Sequence, residues 1–177
     1  MEEQEIEKVF LVKNLPEDLH EYKSVLIKIG DFFEPDNVDT LKIRQKGDYF
    51  ELIKKEDAGY CERVEHVIPI NEGEFNILWG STLRRHKKTR IFYPIGKHIC
   101  EIDLYSDELD GYVRAEVEFL NSKELNAFIP PGWLGEEITS LNHEIHAGLG
   151  EITFEDMKKR FEKNKIELLK ITNTYSQ

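Results

Sequence analysis

Arg114-Ala115-Glu116-Val117-Glu118-Phe119 alternates charged with apolar side chains. A β-strand turns successive side chains to opposite faces, so this alternation predicts a strand with one charged and one apolar face. The same period recurs with bases in residues 84–90, Arg-Arg-His-Lys-Lys-Thr-Arg, and with acids at Glu5 and Glu7. The repetition predicts a sheet whose charged face either meets bulk water or lines an enclosed site.

The composition limits the classes of protein to which the chain can belong. Its 177 residues, 40% of them hydrophobic, are enough for one domain with its own core. No apolar run approaches the about 20 residues of a membrane-spanning helix, and the N-terminus opens with glutamates rather than a signal segment. Cys61 and Cys100 lack metal-ligand spacing, so we expect reduced thiols in a cytoplasmic protein.

The charge balance limits the partners. A net charge of -11 disfavours binding to duplex nucleic acid, which requires a basic field. Five bases nevertheless fall within residues 84–90, and a local basic site in an acidic protein suits a small polyanion. We therefore expect a small polyanionic substrate and no membrane partner, while a homodimer is left open.

Hydrophobic periodicity and turn residues predict one α+β domain dominated by antiparallel strands. Lys46-Gly47-Asp48 has the composition of a hairpin turn, and Asn71 with Glu74 has that of a helix N-cap. Strands are predicted at residues 5–13, 41–44, 49–55, 62–70, 83–93, 99–105 and 112–120. Helices are predicted after Asn71, at residues 122–128, and from about residue 154 to 170.

The charged positions of these strands suggest a chemistry. Acids at i and i+2 on two strands can bind a divalent cation such as Mg²⁺ or Mn²⁺, which prefer carboxylate oxygens. Clustered arginine and lysine can hold phosphate oxygens through directed donors. Turned inward, the charged faces would form a polar-lined barrel that binds a metal–polyphosphate, whereas turned outward they would be the wet side of an ordinary sheet.

Five segments, taken in order, resemble the CYTH superfamily, also called the triphosphate tunnel metalloenzymes. They are Glu5–Val12, Lys87–Arg90, Glu101–Asp103, Ala115–Phe119 and residues 127–139, Ala-Phe-Ile-Pro-Pro-Gly-Trp-Leu-Gly-Glu-Glu-Ile-Thr. The last is the most specific and is similar to the small bacterial single-domain members. The resemblance implies an eight-stranded antiparallel β-barrel over residues 1–150, with residues 151–177 as a C-terminal helical extension of the same domain.

The resemblance also implies roles for individual residues. The expected ligands of Mg²⁺ or Mn²⁺ are Glu5, Glu7, Glu116 and Glu118. The expected phosphate-binding bases are Lys42, Arg44, Lys54, Arg63, Lys88 and Arg90. Glu65, Glu101 and Asp103 would be supporting acids in the tunnel, and Glu5, Glu7 and Lys88 the catalytic group. The implied reaction is metal-dependent hydrolysis of a triphosphate, inorganic tripolyphosphate first.

Two valines depart from the family pattern. Val9 occupies the place of the signature lysine on the first strand, and Val67 that of an acid often found two residues after Glu65. These changes motivate a second hypothesis, a barrel that binds nucleotide or polyphosphate without turnover. A class IV adenylate cyclase ranks lower, because the segment Pro130-Pro131-Gly132-Trp133 resembles triphosphatases more.

The histidines receive no part in the expected site. His86 could sit near phosphate, but a lone histidine on a basic strand is more often structural, and we expect this of His86. His143 and His146 have a helix-like spacing but no third metal ligand at a recognisable distance in the sequence. Both are therefore predicted to be surface residues.

Overall fold

A computed structural model describes residues 2–33, 40–59, 62–146 and 148–172, except for the side chains of residues 2–5, 40, 55–59, 62, 63 and 143. The strands are β1 (Glu2–Val12), β2 (Ser24–Asp31), β3 (Thr40–Lys46), β4 (Tyr49–Gly59), β5 (Glu62–Ile70), β6 (Arg84–Ile95), β7 (His98–Tyr105), β8 (Val113–Glu118) and β9 (Leu134–Glu137). The helices are α1 (Glu72–Trp79), α2 (Ser122–Ala127), α3 (Asn142–His146) and α4 (Phe154–Lys163).

The strands form one sheet in the order β5-β4-β3-β2-β6-β7-β8-β1-β9. Neighbouring strands run antiparallel, which confirms the predicted α+β class. The described sheet has nine strands where eight were expected, because β9 pairs with the end of β1. Strand β1 also pairs with β5 through residues 2–6, while residues 7–11 pair with β8.

Two local predictions are confirmed. Lys46 pairs with Tyr49 across the β3–β4 turn, and Gly47 adopts φ 60, a left-handed conformation that favours glycine in two-residue hairpins. Helix α1 begins after Asn71, whose side chain accepts a hydrogen bond from the Glu74 amide at 3.0 Å. Asn71 therefore acts as the predicted N-cap.

The apolar face of β7 and β8 carries the first hydrophobic cluster. Ile102, Ala115 and Val117 are fully buried there, as the alternation predicts. Phe10 of β1 and Leu125 of α2 belong to the same cluster. The opposite side chains of β7 and β8 are consequently the charged ones, and we call that side of the sheet the charged face.

The second hydrophobic cluster joins the C-terminal segment to one end of the charged face. It contains Val9 of β1 and Tyr112 with Phe154, Met157 and Phe161 of α4. The predicted helix over residues 154–170 is too long, since α4 ends at Lys163. The physical reason is local: Lys165 adopts φ 61, which a continuing helix excludes.

The one cysteine among the described residues is a free thiol. Cys100 is fully buried, and burial raises its pKa above the ordinary value. Cys61 lies outside the described residues, so its predicted state stays a prediction. Within the described part of the chain, no helix combines the length and apolar character needed to cross a membrane.

Candidate functional site

Strand β6 separates its basic residues by face. Arg84, His86, Lys88 and Arg90 are each at most 8% exposed, whereas Arg85 and Lys87 are exposed to solvent. This is the period-two pattern of the sequence, with one set turned inward. The charged face is therefore buried along β6, although it consists of ionisable side chains.

Register brings the charges of neighbouring strands side by side. Arg90 of β6 lies opposite Asp103 of β7, which lies opposite Arg114 of β8. Glu101 lies opposite Glu116 in the same way. Residues directly opposite in antiparallel strands share a face, so these five side chains form one cluster, which is buried except at the partly exposed Glu101.

Asp103 is the centre of this cluster and has no exposed surface. Lys88 donates to its Oδ2, Arg90 donates through Nε at 2.7 Å and Nη2 at 2.8 Å, and Arg114 Nη2 lies 3.5 Å away. Burial by itself favours the neutral acid, but Arg90 and Lys88 hold the pKa of Asp103 well below its usual range. Asp103 is therefore a fixed negative charge among three bases.

Arg90 and Arg114 share a second acid, Glu116. Arg90 Nη2 donates to Glu116 Oε2 at 2.6 Å, and Arg114 Nη2 lies 2.7 Å from Oε1. Arg90 also donates to Glu101. Despite burial, Arg114 and Arg90 lower the pKa of Glu116 to about 2. The guanidinium groups are thus held in position by carboxylates.

The bases of β3 lie on the same face. Asp31 of β2 is in register with Lys42 on one side and Arg84 on the other, and Lys42 Nζ lies 3.5 Å from Asp31 Oδ1. Arg44 Nη2 lies 2.8 Å from Glu51 Oε2. Lys42 and Arg44 are therefore brought to the charged face, as the sequence predicts.

Lys54 is the predicted site residue that the structure places elsewhere. It is in register with Leu41 and His66, on the sheet face opposite to Lys42, and its side chain is exposed. Glu65, one position from His66, is 3% exposed and takes the charged-face side. The strand period accounts for the difference between them, because neighbouring positions alternate between faces.

Three of the four predicted metal ligands, Glu7, Glu116 and Glu118, lie where β1 meets β8. Glu7 is 7% exposed and lies directly opposite Glu118, whose side chain is exposed at the end of the strand. Mg²⁺ and Mn²⁺ prefer carboxylate oxygens, so this opposed pair can contribute two ligands to a divalent cation. Among the described residues, no three histidine, cysteine or acidic side chains are grouped as a metal cage. The residues present fit a cation through a carboxylate pair.

The side chains of Glu5 and Arg63 lie outside the description, although their backbones pair with each other across β1 and β5. Their expected roles in metal and phosphate binding therefore stay predictions.

Comparison with known proteins gives a consistent result. No family model matches the chain. It is 39% identical over 140 residues to the inorganic triphosphatase of Nitrosomonas europaea, across 76% of this chain and 89% of that protein. A crystal structure of an inorganic triphosphatase superposes with a TM-score of 0.62 at 32% identity, covering 82% of this chain and 93% of the other.

The chain belongs to the CYTH superfamily. A Pyrococcus horikoshii protein has the same fold at 15% identity, with a TM-score of 0.51 over 70% of this chain and 84% of that one.

The CYTH signature position at Val9 has an apolar environment in this structure. Val9 is fully buried in the second hydrophobic cluster, together with Tyr112 and Ile145. Lys8, the adjacent base, points to the other face and lies 3.0 Å from Glu137. The apolar side chain of Val9 therefore suits the second hydrophobic cluster, which packs over this end of the charged face.

Three residues at the charged face were absent from the predicted site residues. Arg114 lies two positions before Glu116, so the strand period alone could have identified it. Asn142 is 4% exposed and accepts a hydrogen bond from Arg114 Nη1 at 3.0 Å. No motif in the sequence indicates that contact. The third residue is His86, which is buried among the bases of β6 rather than set apart from them.

The prediction that His146 is a surface residue is wrong. Its ring is half-buried, shares a hydrogen bond with the Tyr112 hydroxyl, and donates from Nδ1 to the Asn142 carbonyl at 2.7 Å. Burial and the nearby Arg114 charge keep the pKa of His146 well below its ordinary value. The side chain of His143 lies outside the description.

Proposed function

We propose that this CYTH protein is a divalent-metal-dependent triphosphatase that hydrolyses inorganic tripolyphosphate. The observation that carries the proposal is the buried cluster in which Lys88, Arg90 and Arg114 surround Asp103 and Glu116. A cluster of this kind presents fixed donors to a polyanion in a place shielded from water. The name of the Nitrosomonas europaea relative, inorganic triphosphatase, supports the same reaction.

In this proposal strands β1 to β8 surround a tunnel, with the charged face as its wall. The pairing of β1 with both β5 and β8 supports this arrangement. The tunnel is also supported by charges that act on one another although their strands are not neighbours in the sheet order. Lys46 of β3 has its pKa lowered by burial and then by Arg44 and Arg90, while Glu118 of β8 acts in the opposite direction.

The bases would bind the phosphate chain. Arg90 and Arg114, held in place by their acids, supply fixed positive charge to the phosphoryl oxygens, and Lys88 supplies a point charge between them. Lys42 and Arg44 extend the basic surface along β3, and we assign Arg63 to phosphate binding as the resemblance implies. In the free protein, burial and the adjacent Arg90 lower the pKa of Lys88 to about 7. A bound polyanion would restore its charge.

The acids would hold the cation at the other side of the site. We assign Glu5, Glu7, Glu116 and Glu118 to this task, with Mg²⁺ or Mn²⁺ as the ion. When bound, the cation would neutralise phosphoryl oxygens and so lower the barrier to attack. Glu101 and Asp103 keep the arginines oriented.

Hydrolysis forms a bond between a water oxygen and a terminal phosphorus and breaks the bond from that phosphorus to the bridging oxygen. Phosphate and pyrophosphate are the products, and the proton lost by the water passes to a carboxylate. Glu65, buried on the charged face, is the acid that we assign to orient the water. Lys88 stays protonated beside the transferred phosphoryl group and balances the charge that develops there.

A phosphate-release assay with tripolyphosphate, ATP and thiamine triphosphate, each with Mg²⁺ or Mn²⁺, tests the proposal. We expect tripolyphosphate to be hydrolysed fastest at neutral to alkaline pH. Val9 and Val67 favour one alternative, a barrel that binds without turnover. Tight calorimetric binding of tripolyphosphate without phosphate release would support that alternative, and absence of binding would exclude both functions. Formation of cyclic AMP from ATP would instead indicate a cyclase.

A further inference from the structure

His86 occupies an unusual position for a histidine, because it is buried among basic side chains. It lies on the charged face of β6, between Arg84 and Lys88, and is 8% exposed. One side of its ring stacks on Tyr105, with centroids 6.0 Å apart and planes inclined by 26°. The stacking fixes the ring plane and leaves the nitrogen atoms at the ring edge.

The Nδ1 atom of His86 is buried and has no hydrogen-bond partner among the described residues. A buried nitrogen without a partner has lost its hydrogen bond to water, and no hydrogen bond within the protein replaces it. Such atoms are rare in folded proteins, so each one indicates either a cost of folding or a missing ligand.

The groups around His86 specify what kind of ligand would satisfy it. Lys42 of β3, Lys88 of β6 and Arg114 of β8 act on the imidazole as positive charges, and Asp103 of β7 as the negative one. Burial first, and these cations second, lower the pKa of His86 well below 6.5, so the ring is neutral at neutral pH. A neutral ring carries one N–H donor, and the surrounding cations attract an anion to it.

We propose that His86 is a substrate-binding residue whose Nδ1–H donates to the terminal phosphoryl group at the inner end of the phosphate chain. The inference rests on the proposed triphosphatase function. Successive residues on one strand face are about 6.6 Å apart, so His86 extends the phosphate site one step beyond Lys88. Tyr105, directly opposite Lys88 on β7, and Tyr112, packed against Tyr105, are both buried at this end of the charged face. His86 therefore favours a chain long enough to reach it.

The test is calorimetric titration of the metal-free protein, in chelator, with tripolyphosphate and separately with pyrophosphate. His86→Leu removes the donor, and His86→Asn places an amide donor near the position of Nδ1. We expect His86→Leu to weaken tripolyphosphate binding by about tenfold to a hundredfold, the range for a hydrogen bond to a charged group. We expect a smaller loss for pyrophosphate, and partial recovery of tripolyphosphate affinity in His86→Asn.

Each outcome bears on the inference. If the wild-type protein binds tripolyphosphate and His86→Leu binds it equally well, His86 is not a substrate ligand and the triphosphatase proposal stands. Equal losses in His86→Leu and His86→Asn would indicate a packing role and overturn the donor role. Equal losses for both phosphates would overturn the preference for chain length. If the wild-type protein binds no tripolyphosphate, the proposed function fails first.

A second measurement avoids the variants and any folding defect they carry. In wild-type protein labelled with ¹⁵N at histidine, the His86 Nδ1 resonance should shift when tripolyphosphate is added. His20, on the polypeptide segment between β1 and β2, provides an internal control that should not shift. An unchanged His86 resonance at saturating tripolyphosphate would overturn the inference.

Discussion

Arg90 donates to both carboxylate oxygens of Asp103, from Nε to Oδ1 at 2.7 Å and from Nη2 to Oδ2 at 2.8 Å. The register of β6 and β7 places the two residues directly opposite each other, so the backbone determines the pair. Both side chains are buried, and each charge therefore depends on the other for compensation. A bidentate pair also fixes the guanidinium plane, so the N–H groups that donate to Glu101 and Glu116 keep a constant direction.

Asp103→Asn should destabilise the protein by about 3–5 kcal/mol, since Lys88, Arg90 and Arg114 would then be buried together without their shared anion. Urea unfolding monitored by circular dichroism measures the change. Asp107→Asn is the matched control, because Asp107 forms an exposed ion pair with Lys87 at 3.2 Å, and such pairs contribute about 0–1 kcal/mol. Tripolyphosphate should restore much of the stability of Asp103→Asn. Equal stability of the two variants would contradict the importance of the buried cluster.

Lys88→Met and Lys87→Met compare two lysines on opposite faces of one strand. Lys88 is 4% exposed beside Asp103, whereas Lys87 is exposed. Loss of a donor that stabilises charge in the transition state reduces kcat by about a hundredfold to a thousandfold, and we expect this of Lys88→Met. Lys87→Met should hydrolyse tripolyphosphate within about twofold of wild type. Initial rates of phosphate release measure both, and similar rates in the two variants would place the reaction elsewhere.

Tripolyphosphate binding should take up a proton at Lys88 above neutral pH. Burial, and then Arg90, lower the pKa of Lys88 to about 7 in the free protein, so at pH 8 it is mostly neutral. The bound anion favours the charged ammonium and raises this pKa. Affinity should therefore be insensitive to Lys88 below pH 7 and fall by up to about tenfold per pH unit above it.

Calorimetry in buffers of different ionisation enthalpy counts these protons. At pH 8 we expect the wild type to take up close to one proton more than Lys88→Met on binding tripolyphosphate. Protons that tripolyphosphate itself exchanges are common to both titrations, so the difference between the two proteins removes them. Equal proton uptake by the two proteins would show that Lys88 is already charged before binding.

Val9→Lys should lower stability rather than restore a stronger site. Val9 is fully buried in an apolar cluster, and a lysine there would lose the hydration of its ammonium group. We expect a loss of about 3 kcal/mol or more relative to Val9→Met, an apolar side chain of similar length. Urea unfolding of both variants measures the difference. A Val9→Lys variant that is as stable as Val9→Met and hydrolyses faster would show that the charged site extends to position 9.

Much of the fold and of the charged face follows from the strand period. Alternation at residues 84–90 and 114–119 predicts correctly which side chains of β6 and β8 share a face, because a strand admits no other arrangement. The hairpin at Gly47 and the cap at Asn71 are equally local. The placement of Lys54 was not predictable in this way. Positions 54 and 55 are both lysine, and only the observed register shows that position 55 rather than position 54 belongs to the charged face.

The contributions of the C-terminal segment could not be predicted. Asn142 reaches Arg114 only because α3 lies against the end of the charged face, and a single asparagine has no sequence signature for that contact. The same applies to His146, whose burial depends on Tyr112 of a distant part of the chain. The division into residues 1–150 and 151–177, the cytoplasmic location and the homodimer stay predictions.

Strand β1 is the first strand in the chain and pairs with the fifth and eighth strands. Contacts between segments so far apart in sequence close large loops, which makes them slow to form. Glu7 and Glu118 meet only in the β1–β8 pairing. We therefore expect the opposed acids to come together late in folding, with triphosphate hydrolysis returning after the first appearance of β-structure.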